Sequence, residues 1–172
     1  PLTKIAEKVT FVVQENIKSL FKQDIENLTI ETVKTTQNNE YDFKIALGSL
    51  IKFFYNEKID FNDLLIQSND QLDLKWKNQM PNSKLNIGLV WSGSFNGPNE
   101  PYRSVPLEVF KRIFKLNANF YCLQNEIWDR DLKYFKSLKL NDCSKYKLDE
   151  VASIIKNLDL VITVDTSLLH LS

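Results

Sequence analysis

Apolar residues fall in short continuous runs, separated by stretches with amphipathic spacing. Val9-Thr-Phe-Val-Val13 reads as a buried strand, Glu15 to Phe21 as a short helix, Leu28 to Val33 as a second strand and Tyr41 to Leu47 as a third. That is β-α-β logic. Gly48 to Tyr55 is expected to be helical and Asn56 to Asn69 irregular, and Gln71 to Gln79 a polar helix that stops at the Met80-Pro81-Asn82 break. Farther on, Leu85 to Trp91, Asn119 to Gln124 and Leu160 to Val164 are unbroken apolar strands, the pattern of a parallel sheet covered on both faces. Leu107 to Phe114, Trp128 to Leu138 and Leu148 to Leu158 read as the helices between them. In the last, Val151, Ile154, Ile155 and Leu158 recur at helical spacing and place one apolar stripe against the sheet. The three strands should all point the same way, because right-handed crossovers join parallel neighbours. Strands alternating with helices in this way predict a doubly wound α/β domain.

Glycine and proline usage shifts along the chain. Three of four glycines (Gly88, Gly93, Gly97) and four of five prolines (Pro81, Pro98, Pro101, Pro106) lie between residues 81 and 106, which predicts a boundary near residue 80. The 172 residues suit one full domain or parts of two. No repeat of about 20 to 50 residues is present, so a helical solenoid is not encoded. Pro1 is not an initiator methionine, and the chain stops inside an apolar helix start, Thr166 to Ser172, so both ends read as cuts.

Charge narrows the choice of partner. Lys plus Arg and Asp plus Glu each total 22, leaving no overall field for nucleic acid or an anionic membrane surface. Arg103, Arg112 and Arg130 are the only arginines, and arginine is the side chain suited to forked phosphate recognition. Cys122, Cys143 and a single histidine have no zinc-ligand spacing, which fits a reduced, cytoplasmic protein without a structural metal. No run reaches the roughly 20 apolar residues of a membrane span, and no signal peptide is evident.

In a doubly wound sheet the ligand crevice lies beyond the carboxyl ends of the strands. Three loops follow such ends. In the first, Trp91-Ser-Gly-Ser94 through Arg103-Ser104, Gly93 can let backbone N–H groups approach an anion and Arg103 can pair with it. Equally, Gly93 can serve a tight turn and Arg103 can be solvated. No GxGxxG or Walker A spacing decides between these. In the second, Gln124 ends a strand and either bonds a base or sugar or satisfies nearby backbone. In the third, Val164-Asp165-Thr-Ser167 through His170, Asp165 or Thr166 either caps a helix alone or also helps turn its N–H groups toward an anion.

Other features read as structural. Cys122 belongs in an apolar strand, Cys143 on a polar loop without an activator, and Trp76 and Trp128 on helices where they pack. Lys133, Lys136 and Lys139 form a solvated face. Asp129-Arg-Asp131 has the spacing of a metal-binding DxD but falls on a helix, away from a strand end, and one histidine leaves little room for a hydrolase triad.

Taken together, the loops carry a more specific signal. Ile87-Gly-Leu-Val-Trp-Ser-Gly93, Arg103-Ser-Val-Pro-Leu107, Phe120-Tyr-Cys-Leu-Gln124, Leu158-Asp-Leu-Val-Ile-Thr-Val-Asp-Thr166 and His170-Leu171 resemble the C-terminal domain of bacterial glycosyltransferases that follow tetratricopeptide repeats. Those in turn are similar to the heptosyltransferases of glycosyltransferase family 9. The strong likeness covers about 87 to 171. A weaker one extends through Tyr41-Asp42-Phe43 and Leu47-Gly-Ser-Leu50 to Val9–Val13 and Ile17–Leu20.

The resemblance implies a GT-B fold, an α/β architecture built here from parts of two Rossmann-like domains with parallel sheets. Residues 1–80 would be the end of the N-terminal, acceptor-facing domain plus linker, and 81–172 the start of the C-terminal, nucleotide-sugar domain. By position, Ser92 and Gly93 would lie near the donor phosphates and Arg103 would contact them. Asp165, Thr166 and Ser167 would form the helix start that receives diphosphate and sugar, with His170 behind, and Gln124 would complete the site. Asn125 stands where the family usually has Lys, and Ser167 where it has Ala or Gly.

The family's catalytic base would precede Pro1 and part of the donor pocket would follow Ser172, so no general base is assigned and the chain alone is expected to be inactive. The implied activity is metal-independent sugar transfer, without a cofactor, from a nucleoside diphosphate sugar to a glycan, lipid-linked or protein acceptor. The competing class is a nucleotide- or sugar-binding module, or a remnant, without turnover.

Overall fold

The computed structural model describes residues 2–21, 24–37, 39–56, 66–95 and 100–172, and the chain divides into two compact units between Gln67 and Ser68. In the first unit, strand β1 (Val9–Val13) pairs in parallel with strand β2 (Leu28–Thr32), Val9 opposite Leu28 and Val13 opposite Thr32. The helix expected between them forms as a 3₁₀ helix, Glu15–Leu20. Val13, Leu20 and Ile30 are buried, and the rings of Phe11 and Phe21 meet edge to face at 5.3 Å. Asn27 turns the chain into β2 with φ of 60°, a left-handed conformation that asparagine tolerates, and its carbonyl accepts the Val9 N–H.

The first unit also holds a 3₁₀ turn, Leu2–Lys4, and helices α1 (Val33–Thr36) and α2 (Leu47–Phe54). The strand expected over Tyr41 to Leu47 does not form. Its alternating apolar residues find no partner edge among the described residues, and Phe43 is 92% exposed. Within the stretch expected to be irregular, residues 57–65 lie outside the described residues, while Ile66 bridges Phe21 in antiparallel fashion.

The second unit begins with helix α3 (Asp70–Gln79), capped by Asn69, whose side chain accepts the Gln71 and Leu72 N–H groups. Then come strand β3 (Leu85–Val90), helix α4 (Glu100–Arg103), a 3₁₀ helix over Leu107–Lys115, strand β4 (Ala118–Cys122), helix α5 (Asp129–Ser137), strand β5 (Asn141–Asp142), helix α6 (Leu148–Lys156) and strand β6 (Leu160–Thr163). All four strands of the sheet are parallel, in the order β5-β4-β3-β6. The chain thus runs outward from β3 to β5, then returns to the other side of β3. This reversal is the topological switch point of a doubly wound sheet.

Each face has its own core. Trp76, Met80, Tyr121, Leu123, Cys143 and the α6 stripe Val151, Ile154 and Ile155 close one face. Ile87, Leu89, Trp91, Leu107, Phe120 and Cys122 close the other, backed by the 3₁₀ helix and α5. The segment after Pro106 forms a 3₁₀ rather than an α-helix and sets Leu107, Phe110, Ile113 and Phe114 against this face. The short strand β5, with exposed polar residues, carries no hydrophobic signature and is a finding of the structure. Helix α3 packs on α6, which is why it belongs with the second unit although the glycine and proline shift comes later.

Polar contacts brace α3 on α6. Lys156 Nζ and Ser68 Oγ both donate to Asp73 Oδ2, and Lys75 Nζ donates to Glu150 Oε1, which also accepts Trp76 Nε1 at 3.3 Å. Burial pushes the Asp73 carboxyl up, but the hydrogen bonds from Lys156 and Ser68 outweigh it and hold the group below the usual 3.8. A depressed carboxylate adds stability above its unfolded pKa and loses it as pH falls through the folded one. The melting-temperature gap between wild type and Asp73→Asn should therefore be constant at neutral pH and shrink as pH drops below 3.8. A gap that does not change with acidification would contradict this.

Cys143, expected on a polar loop, is only 2% exposed. Its burial follows from the backbone bond Cys143 N to Cys122 O at 2.9 Å, which draws the turn after β5 under Trp76 and α6. Burial pushes both the Cys122 and Cys143 thiols up to about 12. Neither should react with a thiol reagent at neutral pH while the protein is folded, and both should react in denaturant. Rapid labelling of Cys143 in the native protein would refute the packing.

Candidate functional site

Parallel strands bring the loops after β3, β4 and β6 to one edge of the sheet. Backbone bonds carry the pairing past the strands, Leu123 N to Leu89 O at 3.1 Å and Val164 N to Val90 O at 3.0 Å, so the chain leaves all three strands together. The edge thus gathers Ser92, Gly93, Arg103, Gln124 and Asp165.

Gln124 is 4% exposed and fully engaged. Its Oε1 accepts the N–H groups of Trp91 and Ser92, both at 3.1 Å, and its Nε2 donates to Ser92 O and Ser92 Oγ, both at 2.8 Å. An amide has two donors and two acceptor lone pairs, so none remains for a ligand in this arrangement. Of the two roles open to Gln124, satisfying nearby backbone is the one seen. The side chain ties the end of β4 to the loop after β3, and Ser92 is buried with it. Gly93 is also buried, whereas Ser94 is exposed. Residues 96–99 of this loop, Gly97 and Pro98 among them, lie outside the described residues.

Arg103, half-buried at the end of α4, crosses the switch point. Its Nη1 donates to the Asp165 carbonyl at 3.4 Å, linking the β3 loop to the end of β6. The neck of the loop is closed by Val105 N to Trp91 O at 2.8 Å.

Beyond β6 the expected helix start is absent. Residues 167–171 form turns with i to i+3 bonds, Leu169 N to Thr166 O and Leu171 N to Leu168 O, and among the described residues Asp165 caps none of them. Such 3₁₀ bonds close fewer residues per turn and align fewer peptide dipoles than an α-helix. Asp165 and His170 are 71% and 77% exposed, with Oδ1 and Nε2 4.0 Å apart. Thr166 is half-buried and its hydroxyl lies 3.4 Å from that of Thr163, while Ser167 is exposed.

Residues 117–172 match the family model of glycosyltransferase family 9 (heptosyltransferase). The matched segment holds β4 through β6 with Gln124, Asp165, Thr166, Ser167 and His170. Ser92, Gly93 and Arg103 precede it. The match points to sugar transfer in general and names neither donor nor acceptor. Neither the comparison with curated proteins nor that with solved structures returned a match. No described helix is long and apolar enough to cross a membrane, and no cluster of potential metal ligands occurs among the described residues.

Two open concavities lie elsewhere on the second unit. One of about 500 Å³ lies at the amino ends of the strands, lined by Asn82, Lys84, Asn117 and Asp159, and one of about 360 Å³ lies under Trp76 and Tyr146 beside β5. The carboxyl edge is the better candidate. It lies at the switch point, and the family match runs through its β4 and β6 loops.

Asp131 was not legible as part of this edge. It is 3% exposed, and its Oδ2 accepts Trp91 Nε1 at 3.2 Å while Oδ1 accepts Leu107 N–H at 3.0 Å. Its one sequence signal is a carboxylate on the same helical stripe as Tyr134, Phe135 and Leu138. Trp128, the residue before α5, stacks against Phe95 at 4.4 Å and so supports the loop rather than lying within a helix.

The bonds of Gln124 give a direct expectation. Gln124→Ala strips partners from two buried N–H groups and a carbonyl, each worth about 1–3 kcal/mol when left unsatisfied. Allowing for water entry, denaturant unfolding should show a loss of about 3 kcal/mol. A loss below about 1 kcal/mol would mean the latch is not formed.

Proposed function

We propose that the chain is part of a GT-B glycosyltransferase that uses a nucleoside diphosphate sugar, with the second unit binding the donor and the first facing the acceptor. The observation that carries this reading is Arg103 reaching across the β3–β6 switch point to Asp165, beside a segment that matches a glycosyltransferase family. The donor diphosphate lies at the carboxyl edge. There Gly93 offers backbone without a side chain in the way, and Arg103 supplies the charge that stabilises the departing diphosphate. Ser92 shapes the loop through Gln124. Asp165, Thr166, Ser167 and His170 border the sugar end of the site.

A nucleotide- or sugar-binding module without turnover is the second reading. It is favoured by the exposure of Asp165 and His170, which leaves neither in the desolvated setting that tunes a catalytic base. Donor hydrolysis and transfer assays on the whole enzyme of which the chain is part separate the two readings.

Calorimetric titration with UDP, GDP and ADP tests the donor site. Arg103→Ala should weaken binding by about 1.5–3 kcal/mol, the range for a hydrogen bond to a charged group. Arg103→Lys should restore only part of this, because a point charge lacks the guanidinium fork. In the whole enzyme of which the chain is part, binding of none of the three nucleotides, or unchanged affinity in Arg103→Ala, would sink the reading.

A further inference from the structure

We propose that Asp131 is a positioning residue for the diphosphate loop, holding both ends of the segment that carries Ser92, Gly93 and Arg103. The inference rests on the donor-site reading above and adds a residue outside the edge itself. Trp91 precedes Ser92, and Leu107 follows the Arg103 segment. One carboxylate oxygen holds the Trp91 indole N–H at 3.2 Å and the other the Leu107 backbone N–H at 3.0 Å. The backbone bond Val105 N to Trp91 O lies between these anchors and closes the same neck.

Helix α5 gives Asp131 its rigidity. Its own N–H bonds Trp128 O at 2.8 Å, and Tyr134 and Phe135 on the same stripe pack into the core under the sheet. Arg130 Nε lies 3.7 Å from Oδ2 and offsets part of the charge. The Trp91 ring is fully buried, as is Leu107, so these anchors do not exchange their partners for water. A carboxylate suits this place better than an amide. Both partners are donors, so asparagine would set its NH₂ against one of them, whichever way it turned.

Hydrogen exchange and nucleotide affinity together test the proposal. In Asp131→Asn, amides of residues 91–95 and 102–107 should exchange about tenfold faster, with strand amides 85–90 and 118–122 unchanged. Trp91→Phe removes the indole donor but keeps the Leu107 bond, so its effect on the same amides should be smaller, and it remains informative if Asp131→Asn does not fold. Whichever of UDP, GDP and ADP binds wild type should bind Asp131→Asn about tenfold more weakly. In an Arg103→Ala background the Asp131 change should add clearly less to the affinity loss than in wild type, since only the Gly93 side of the loop is left to misplace, while lowering the melting temperature as before.

An equal affinity loss in both backgrounds means a general structural role and overturns the proposal, as does unchanged exchange over 91–95 and 102–107. If exchange quickens as described but wild type binds none of the three nucleotides, Asp131 still anchors the loop and the donor-site reading is what falls.

Discussion

Strand β3 is buried from Asn86 to Val90 and hydrogen-bonded on both sides, so the buried polar groups near its ends must find protein partners. At the amino end Asn86 meets this demand. Its Nδ2 donates to Pro81 O, its Oδ1 accepts from Asn119 and Tyr121, and its N–H bonds Asp159. Those bonds fix where β4 and β6 begin relative to β3. At the carboxyl end the Trp91 and Ser92 N–H groups and the Ser92 carbonyl are met by Gln124, and the Trp91 indole by Asp131. Leaving such groups buried and unpaired costs about 1–3 kcal/mol each, so the pairing sets register as well as stability.

This constraint also decides what the carboxyl edge offers a ligand. Gln124 and Ser92 are spent on each other, and on the proposed reading contact with a ligand falls to groups that stay nearer the surface, chiefly Arg103 and the turn after Val164. Arg103 comes from the loop between β3 and the 3₁₀ helix, whereas Asp165 follows β6. The two meet because the sheet order places β6 directly beside β3. The fold thus creates a juxtaposition that a sequence separation of 62 does not reveal.

Much of the second unit was legible in the sequence, because unbroken apolar runs with both faces to cover leave few alternatives to parallel strands. The α6 stripe and the three strands read directly for that reason. The strand expected at Tyr41 to Leu47 was misleading, since alternation states which side chains could share a face but not whether a partner edge exists. Strand β5 was invisible because two polar residues carry no pattern. Gln124 was found for its place at a strand end, yet sequence left its role open between ligand and backbone. Asp131 was read as lying off the edge because a DxD on a helix suggests nothing about an indole forty residues earlier. Side chains that satisfy distant backbone are set by tertiary geometry, and sequence spacing does not report it.

The central claim is that anionic donors meet the chain at the carboxyl edge, between β3 and β6. Amide chemical-shift mapping with UDP, GDP and ADP tests this most directly. The account predicts shifts centred on Gly93, Ser94, Arg103, Asn125 and Asp165 to Ser167. Shifts centred instead on Asn82, Lys84, Asn117 and Asp159 at the amino edge would contradict it.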